Sequence, residues 1–186
     1  MLEELLRSRG FSVFSSRGSY GDLIQGKRHP SLKVVKNGRR MVLRGNYSGE
    51  VLSANIELIR AHLKQGETVL LSPPAISYSE NPEGEEINVD GDISAAHVAY
   101  GLSSTFVILT DTAGLLKYPS DESSLIPYVP RDRLPDVRNS AQGRFNQKLD
   151  AVEIALENCV GNVIISDGRI VNPITQALSG RGTHFS

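Results

Sequence analysis

Three polar clusters hold most of the chemistry this sequence can offer. The first is Ile87-Asn88-Val89-Asp90-Gly91-Asp92. Asn88 supplies an amide donor and acceptor, and Asp90 and Asp92 supply two carboxylates just ahead of a small-residue helical stretch, Ile93 to Tyr100. Free amides at a helix N-terminus attract anions. Carboxylates there also act as caps, and Asp-Gly-Asp before a helix is a cap more often than a catalytic element. The spaced acidic ligands and closing glutamate of a calcium loop are missing. The second cluster, Leu109-Thr110-Asp111-Thr112-Ala113-Gly114-Leu115-Leu116, follows an apolar run. In an open α/β sheet ligands gather at the C-terminal ends of strands. A plain Asx turn accounts for the same residues. The third, Gln142-Gly143-Arg144-Phe145-Asn146-Gln147-Lys148, opens an amphipathic helix. Gly143 permits close backbone approach, and Lys148, about a turn further in, can meet phosphates as a point charge. A lone helical lysine is more often only solvated. Ser166-Asp167-Gly168-Arg169 reads as a turn or a ligand rim.

Elements must position these clusters. Leucines 2, 5 and 6 predict a helix from Met1 to Arg9, with Gly10 as its stop. Phe11 to Phe14 alternates like a short strand. Leu32–Lys36 and 41–43 flank Asn37-Gly38, a strong hairpin signal. Ser53 is placed to cap a helix from Ala54 to Lys64, ended by Gln65-Gly66. Thr68 to Leu71, Phe106 to Leu109 and Val163 to Ile165 read as apolar strands. Between and after them come helices over Ile93–Tyr100, Gln142–Glu157 and Ile174–Leu178. That alternation argues for a largely parallel sheet covered on both faces. Lys117 to Ala141, with prolines at 119, 127, 130 and 135, reads as a loop able to cover a site.

Composition narrows the class. Hydrophobic residues are 39% and charged residues 22% of 186, an ordinary globular balance. No apolar run is long enough for a membrane-spanning helix. The opening residues lack the pattern of a signal peptide. Cys159 is the single cysteine, so no internal disulfide forms and a cytoplasmic location is expected. His29, His62, His97 and His184 have no metal-ligand spacing, and there is no Walker A loop. The charge is uneven. Residues 17–44 hold Arg17, Lys27, Arg28, Lys33, Lys36, Arg39, Arg40 and Arg44 against the one acid Asp22, while the whole chain sums to −1. Such a block steers an acidic partner or is simply a solvated hairpin.

In this order the pieces resemble the amino-acid kinase family. The resemblance rests on Asn88-Val89-Asp90-Gly91-Asp92 with Ala95-Ala96, Leu109-Thr110-Asp111 with Gly114-Leu115, Gly143 with Phe145 and Lys148, and Gly182-Thr183. Its N-acetylglutamate kinase branch fits best. Within that branch, Tyr47-Ser48-Gly49, Ser72-Pro73-Pro74-Ala75-Ile76-Ser77, Ala141-Gln142-Gly143-Arg144 and Asn172-Pro173-Ile174 look like the subgroup that works on 2-aminoadipate or glutamate held by an acidic, LysW-type amino-group carrier protein.

The resemblance implies a three-layer α/β/α fold with a mainly parallel sheet and a β-hairpin insertion. It implies transfer of the γ-phosphoryl group of ATP, with Mg2+ on the nucleotide, to a side-chain carboxylate in lysine or arginine biosynthesis. Asn88 would bind substrate, Asp92 would orient catalytic lysines, and Lys148 would neutralise phosphate charge. Thr110, Asp111, Gly114, Leu115, Gly143 and Phe145 would border the nucleotide. Lys27, Arg28, Lys33, Lys36, Arg39, Arg40 and Arg44 would form the docking face for the carrier. A homodimer is implied as well.

Residues 1–186 would be one partial domain, with 1–80 (hairpin 32–43) on the acceptor and carrier side and 81–186 on the nucleotide side. The family's first phosphate lysine with its glycine pair, a second glycine-rich loop and a substrate arginine have no counterpart here. Phe14-Ser15-Ser16 replaces a glycine-containing turn, and Phe145 stands where methionine is common. The alternatives are a protein that keeps only ATP or carrier binding, and a kinase of free N-acetylglutamate.

Overall fold

The computed structural model describes residues 2–30, 32–36, 39–43, 46–140 and 145–186, with 32–36, 39–43 and 139–140 described by backbone alone. Two compact units divide the chain, Met1–Ser94 and Ala95–Ser186.

In the first unit, helix α1 (Leu2–Ser8) stops where the glycine predicts. Gly10 has φ 87°, its N–H donates to Arg7 O at 3.0 Å, and the Phe11 N–H donates to Leu6 O at 3.1 Å. This pair of bonds is the Schellman stop. It uses Phe11, so strand β1 (Val13–Arg17) begins two residues later than the alternation suggests. Strand β2 is Ile24–Arg28. The backbone confirms the hairpin: β3 (Leu32–Lys36) and β4 (Arg39–Leu43) pair antiparallel. Its turn, Asn37-Gly38, lies outside the described residues.

Strand β5 is Gly49–Ala54 and helix α2 is Ile56–Lys64. Ser53 belongs to the strand, and the cap is Asn55, whose Oδ1 accepts from Leu58 N at 3.1 Å. A shorter helix results because the chain stays extended through Ala54 to complete the pairing with β2. Strand β6 (Thr68–Ser72) runs parallel to β1, Val13 opposite Thr68. A cis Pro73–Pro74 bond leads into β7 (Ala75–Ser77), which pairs antiparallel with β8 (Glu85–Ile87). The second sheet of this unit has the order β5-β2-β7-β8.

Helix α3 (Gly91–Leu102) carries the boundary between the units. It starts earlier than Ile93 because Asp90 caps it. The second unit then builds one sheet. Its strands are β9 (Phe106–Thr110), β10 (Tyr128–Val129), β11 (Val163–Asp167) and β12 (Thr183–Phe185), in the order β10-β12-β11-β9. Pairs β9/β11 and β10/β12 are parallel, and β11/β12 is antiparallel. Val163, Ile164, Ile165 and Ser166 are all buried, as a strand covered on both faces requires.

Helices α4 (Leu134–Ser140), α5 (Phe145–Glu157) and α6 (Pro173–Leu178) complete the unit. Helix α4 lies inside the stretch expected to be loop. Pro135 sits in its first turn, where a missing N–H costs nothing, and buried Leu134 anchors it. Helix α5 turns Leu149, Ala151, Val152, Ala155 and Leu156 inward.

Candidate active site

In the first unit, two strand ends and one loop come together. β2 ends at Arg28, and the chain returns from the hairpin at Asn46-Tyr47-Ser48. Arg28 Nε donates to Asn46 O at 2.9 Å, and its guanidinium lies 4.4 Å from the centre of the Tyr47 ring. The Asn88 N–H donates to Tyr47 O, and Gly49 N–H donates to Asn88 O at 2.9 Å. Gly49 has to be glycine: a Cβ there would stand 2.4 Å from Lys27 O. The root of the basic hairpin is thus zipped to exposed Asn88 through one short segment.

Of the proposed docking cations, Lys27 is exposed, whereas the charge of Arg28 is already committed. Arg28 Nη1 meets Glu85 at 3.0 Å and Glu80 at 3.1 Å, and its side chain is only 13% exposed. It is an anchor of the hairpin's root rather than a surface charge. Lys33, Lys36, Arg39 and Arg40 lie on β3 and β4, where only the backbone is described, and Arg44 lies outside the described residues.

At the start of α3 the two carboxylates separate by role. Asp90 Oδ1 accepts from Asp92 N at 2.8 Å and from Ile93 N at 3.0 Å, so Asp90 is the cap. Asp92 stands half-buried in the helix's first turn.

In the second unit, Thr110 ends β9 and Asp111 follows, exposed, with Thr110 Oγ1 donating to its Oδ1 at 3.2 Å. Gly114 takes φ 146°, and a Cβ there would lie 2.8 Å from Thr183 Oγ1. Buried Leu115 and its neighbour Leu116 wall a cleft of about 420 Å³, together with Ile126, Val129 and Val137. Lys117, Arg133 and Asp136 give the cleft polar groups. That mix of apolar walls and a few charged groups suits a small polar ligand with one flat apolar part.

Thr183 braces the cleft from within. Its Oγ1 accepts from Leu115 N at 2.9 Å and donates to Ile126 O at 2.6 Å. Sequence reasoning noted Thr183 only as a motif residue. Phe145 opens α5, Lys148 lies half-buried one turn in, and Gly143 is outside the described residues. Arg138 joins α4, which carries the cleft residue Val137, to the helix of Lys148: it bonds Asp150 at 2.5 Å and Glu153 at 2.7 Å.

The amino acid kinase family model matches residues 1–167. The chain belongs to the amino acid kinase family. Within this family it is 39% identical to the LysW-aminoadipate kinase of Thermus thermophilus, over 98% of this chain and 67% of that protein. It is 37% identical to the protein of the same name from Deinococcus radiodurans, over 100% of this chain and 62% of that one. The chain therefore spans about two thirds of the length of these curated relatives. The fold is shared with N-acetylglutamate synthase from Neisseria gonorrhoeae in complex with coenzyme A and N-acetylglutamate. There the TM-score is 0.76 at 23% identity, covering 99% of this chain and 40% of that one. It is also shared with the carbamate kinase of Giardia lamblia bound to AMP-PNP, with TM-score 0.66, 16% identity, and 99% and 69% coverage. This amino acid kinase chain is thus a mixed α/β protein with parallel-rich sheets. Among its described residues no helix is long and apolar enough to cross a membrane.

Proposed function

We propose that the chain serves ATP-dependent phosphorylation of the side-chain carboxylate of 2-aminoadipate, or glutamate, held on an acidic amino-group carrier protein of the LysW type. The product is an acyl phosphate in lysine or arginine biosynthesis. One observation carries this reading: Asn88 is hydrogen-bonded to the very segment through which the basic hairpin returns. A carrier held by that hairpin would present its tethered amino acid beside Asn88. Opposite charge speeds and orients such docking. The names of the relatives point the same way.

The cleft walled by Leu115 and Leu116 takes part of the nucleotide in this reading. Thr110, Asp111, Gly114, Leu115, Gly143 and Phe145 would border the nucleotide; of these, Leu115 lines the cleft. Lys148 neutralises the transferring phosphoryl group and Asp92 orients the cationic groups. The donor set fits ATP with Mg2+. Among the described residues no group of three or more His, Cys, Asp or Glu is placed to hold a metal ion. A magnesium ion that arrives on the nucleotide needs no such cage, because it is held chiefly by phosphate oxygens and water. Residues 1–80 supply the acceptor and carrier side and 81–186 the nucleotide side of one domain. We further infer a cytoplasmic homodimer.

In a second reading the chain binds ATP or carrier without turnover. One experiment separates the two. The chain is mixed with ATP, Mg2+ and carrier loaded with 2-aminoadipate, and ADP release and hydroxylamine-trapped acyl phosphate are measured. Release with the loaded carrier, and none with free N-acetylglutamate, is expected. Turnover of free N-acetylglutamate instead overturns the carrier claim. No release with either acceptor, while AMP-PNP still binds, leaves the binding-only reading.

A further inference from the structure

The Asp167-Gly168-Arg169 turn has no part in the reaction above, yet it is densely bonded. Asp167 closes β11. Its Oδ1 accepts from the Arg169 backbone N–H and from Nε, both at 2.8 Å, and its Oδ2 accepts from Nη2 at 2.8 Å. The same Nη2 reaches Glu122 Oε1 at 2.7 Å. A planar guanidinium can grip one carboxylate with two parallel bonds and still offer an N–H to a second; an ammonium group cannot keep that geometry. The carboxylate responds: hydrogen bonds from the Arg169 side chain, above all, hold Asp167 down at about 2.

The turn is also registered to β9. Gly168 N–H donates to Thr110 O at 2.7 Å, and a Cβ on Gly168 would stand 3.3 Å from Leu109 Cβ. Arg169 is therefore fixed to the strand end that carries Thr110.

Glu122 lies in a 3-10 turn, Glu122–Ser124, within the loop whose ends are bridged at Leu116 and Leu125. Bonds inside the loop are local. Asp121 Oδ1 accepts from Ser123 N at 2.9 Å, and the Tyr118 N–H donates to Ser124 Oγ at 3.0 Å. The loop begins with Leu116 and Lys117, both on the cleft wall. Thr183 fastens the loop's base from inside, and the Arg169–Glu122 pair reaches it from outside.

We propose that Arg169 is a positioning residue for the nucleotide cleft, clamping the 117–124 loop to the end of β11 and so fixing the wall formed by Leu116 and Lys117. The proposal rests on the reading of that cleft as the nucleotide site. The clamp's outer half is exposed, since Arg169 and Glu122 keep 48% and 56% of their side-chain surface. Salt therefore weakens it.

The test titrates the full chain with Mg2+–AMP-PNP as wild type, Arg169→Ala, Glu122→Gln, the double variant and Arg169→Lys. Each single loss should weaken binding about fivefold, the scale of one half-exposed ion pair. The double variant should be no weaker than Arg169→Ala, because both remove one interaction. Arg169→Lys keeps the charge and should fall between. Raising NaCl should weaken the wild type more than Arg169→Ala. Trypsin cleavage after Lys117 should quicken in Arg169→Ala and Glu122→Gln, at unchanged unfolding midpoint for Glu122→Gln. Equal AMP-PNP affinity in wild type, Arg169→Ala and Glu122→Gln overturns the clamp. A wild type that binds no AMP-PNP overturns the cleft reading, and the proposal falls with it.

Discussion

The two units bury their apolar residues very differently. Among the described residues, the first buries Val13, Leu23, Ile24, Ile59, Ala75, Ile87 and Val89. The second buries Phe106, Ile108, Leu149, Val152, Val163, Ile164, Ile165 and Phe185, and ten more besides. In the first unit α1 buries no side chain, with Leu2 59% and Leu5 50% exposed. Strand β6 is as apolar as β11, yet none of its residues is buried, whereas four of the five in β11 are. A similar sequence pattern thus gives a half-covered strand in one place and a core strand in the other. Among the described residues the larger buried apolar core lies in the second unit. The first holds the hairpin root, Asn88 and a network of charges.

Core truncation tests this contrast most strongly. Ile164→Ala, at a site with no exposure, should cost about 2–5 kcal/mol. Leu70→Ala in half-covered β6 should cost less than half as much, because the removed methyls already meet water and leave little cavity. Denaturant midpoints of the two variants decide; equal losses would remove the asymmetry.

Chemistry should divide from stability at Lys148. Replacing it with methionine keeps the apolar stem along α5 and removes the charge. If the chain turns over, the rate should fall a hundred- to a thousandfold, about 2.7–4 kcal/mol of transition-state stabilisation. The unfolding midpoint should stay within about 0.5 kcal/mol of wild type. A rate loss matched by a stability loss would make Lys148 a structural residue.

The elements legible in sequence were helices α1, α2, α3, α5 and α6 and strands β6, β9 and β11, from their apolar patterns, and the β3–β4 hairpin, from Asn37-Gly38. Short strands escaped. Glu85-Glu86-Ile87 has one apolar residue, and Thr183-His184-Phe185 is too brief to show a period. Helix α4 was hidden by Pro135, which reads as a breaker except in a first turn. At the site, spacing alone left Asp90 and Asp92 equivalent, and only the hydrogen bonds identify the cap. Arg28 counts as one more cation in the basic block until its partners Glu80, Glu85 and Tyr47 are seen. Such roles depend on which distant strands meet, and local sequence does not carry that.

A smaller effect is expected at Thr183. Thr183→Val keeps the shape but takes away the acceptor of Leu115 N and the donor to Ile126 O. Two backbone groups lose their partner, which costs about 1–3 kcal/mol. Affinity for AMP-PNP should drop together with stability, since the brace and the cleft wall share Leu115. Weakened AMP-PNP binding at unchanged stability would place Thr183 on the ligand instead.

The smallest effect is in acid, and it again separates the units. In the first, Glu86 lies below the usual glutamate range, chiefly because Ser19 donates to it, with help from Arg17, but the pair is widely exposed. In the second, Asp167 is held at about 2 by Arg169 and keeps only 13% of its side-chain surface. A depressed carboxylate stabilises the fold fully above its unfolded value, near 3.8, and loses that contribution as pH falls through the folded value. Between about pH 5 and pH 3 the Asp167–Arg169 clamp should therefore hold, giving way only toward pH 2. Carboxyl chemical shifts followed by NMR check this directly. In Asp167→Asn the part of the stability decline below pH 4 that belongs to this group should vanish, leaving a flatter acid limb than wild type. An Asp167 that titrates near 4 would show that Arg169 does not grip it in solution, and the second unit would then have no more acid-resistant a polar anchor than the first.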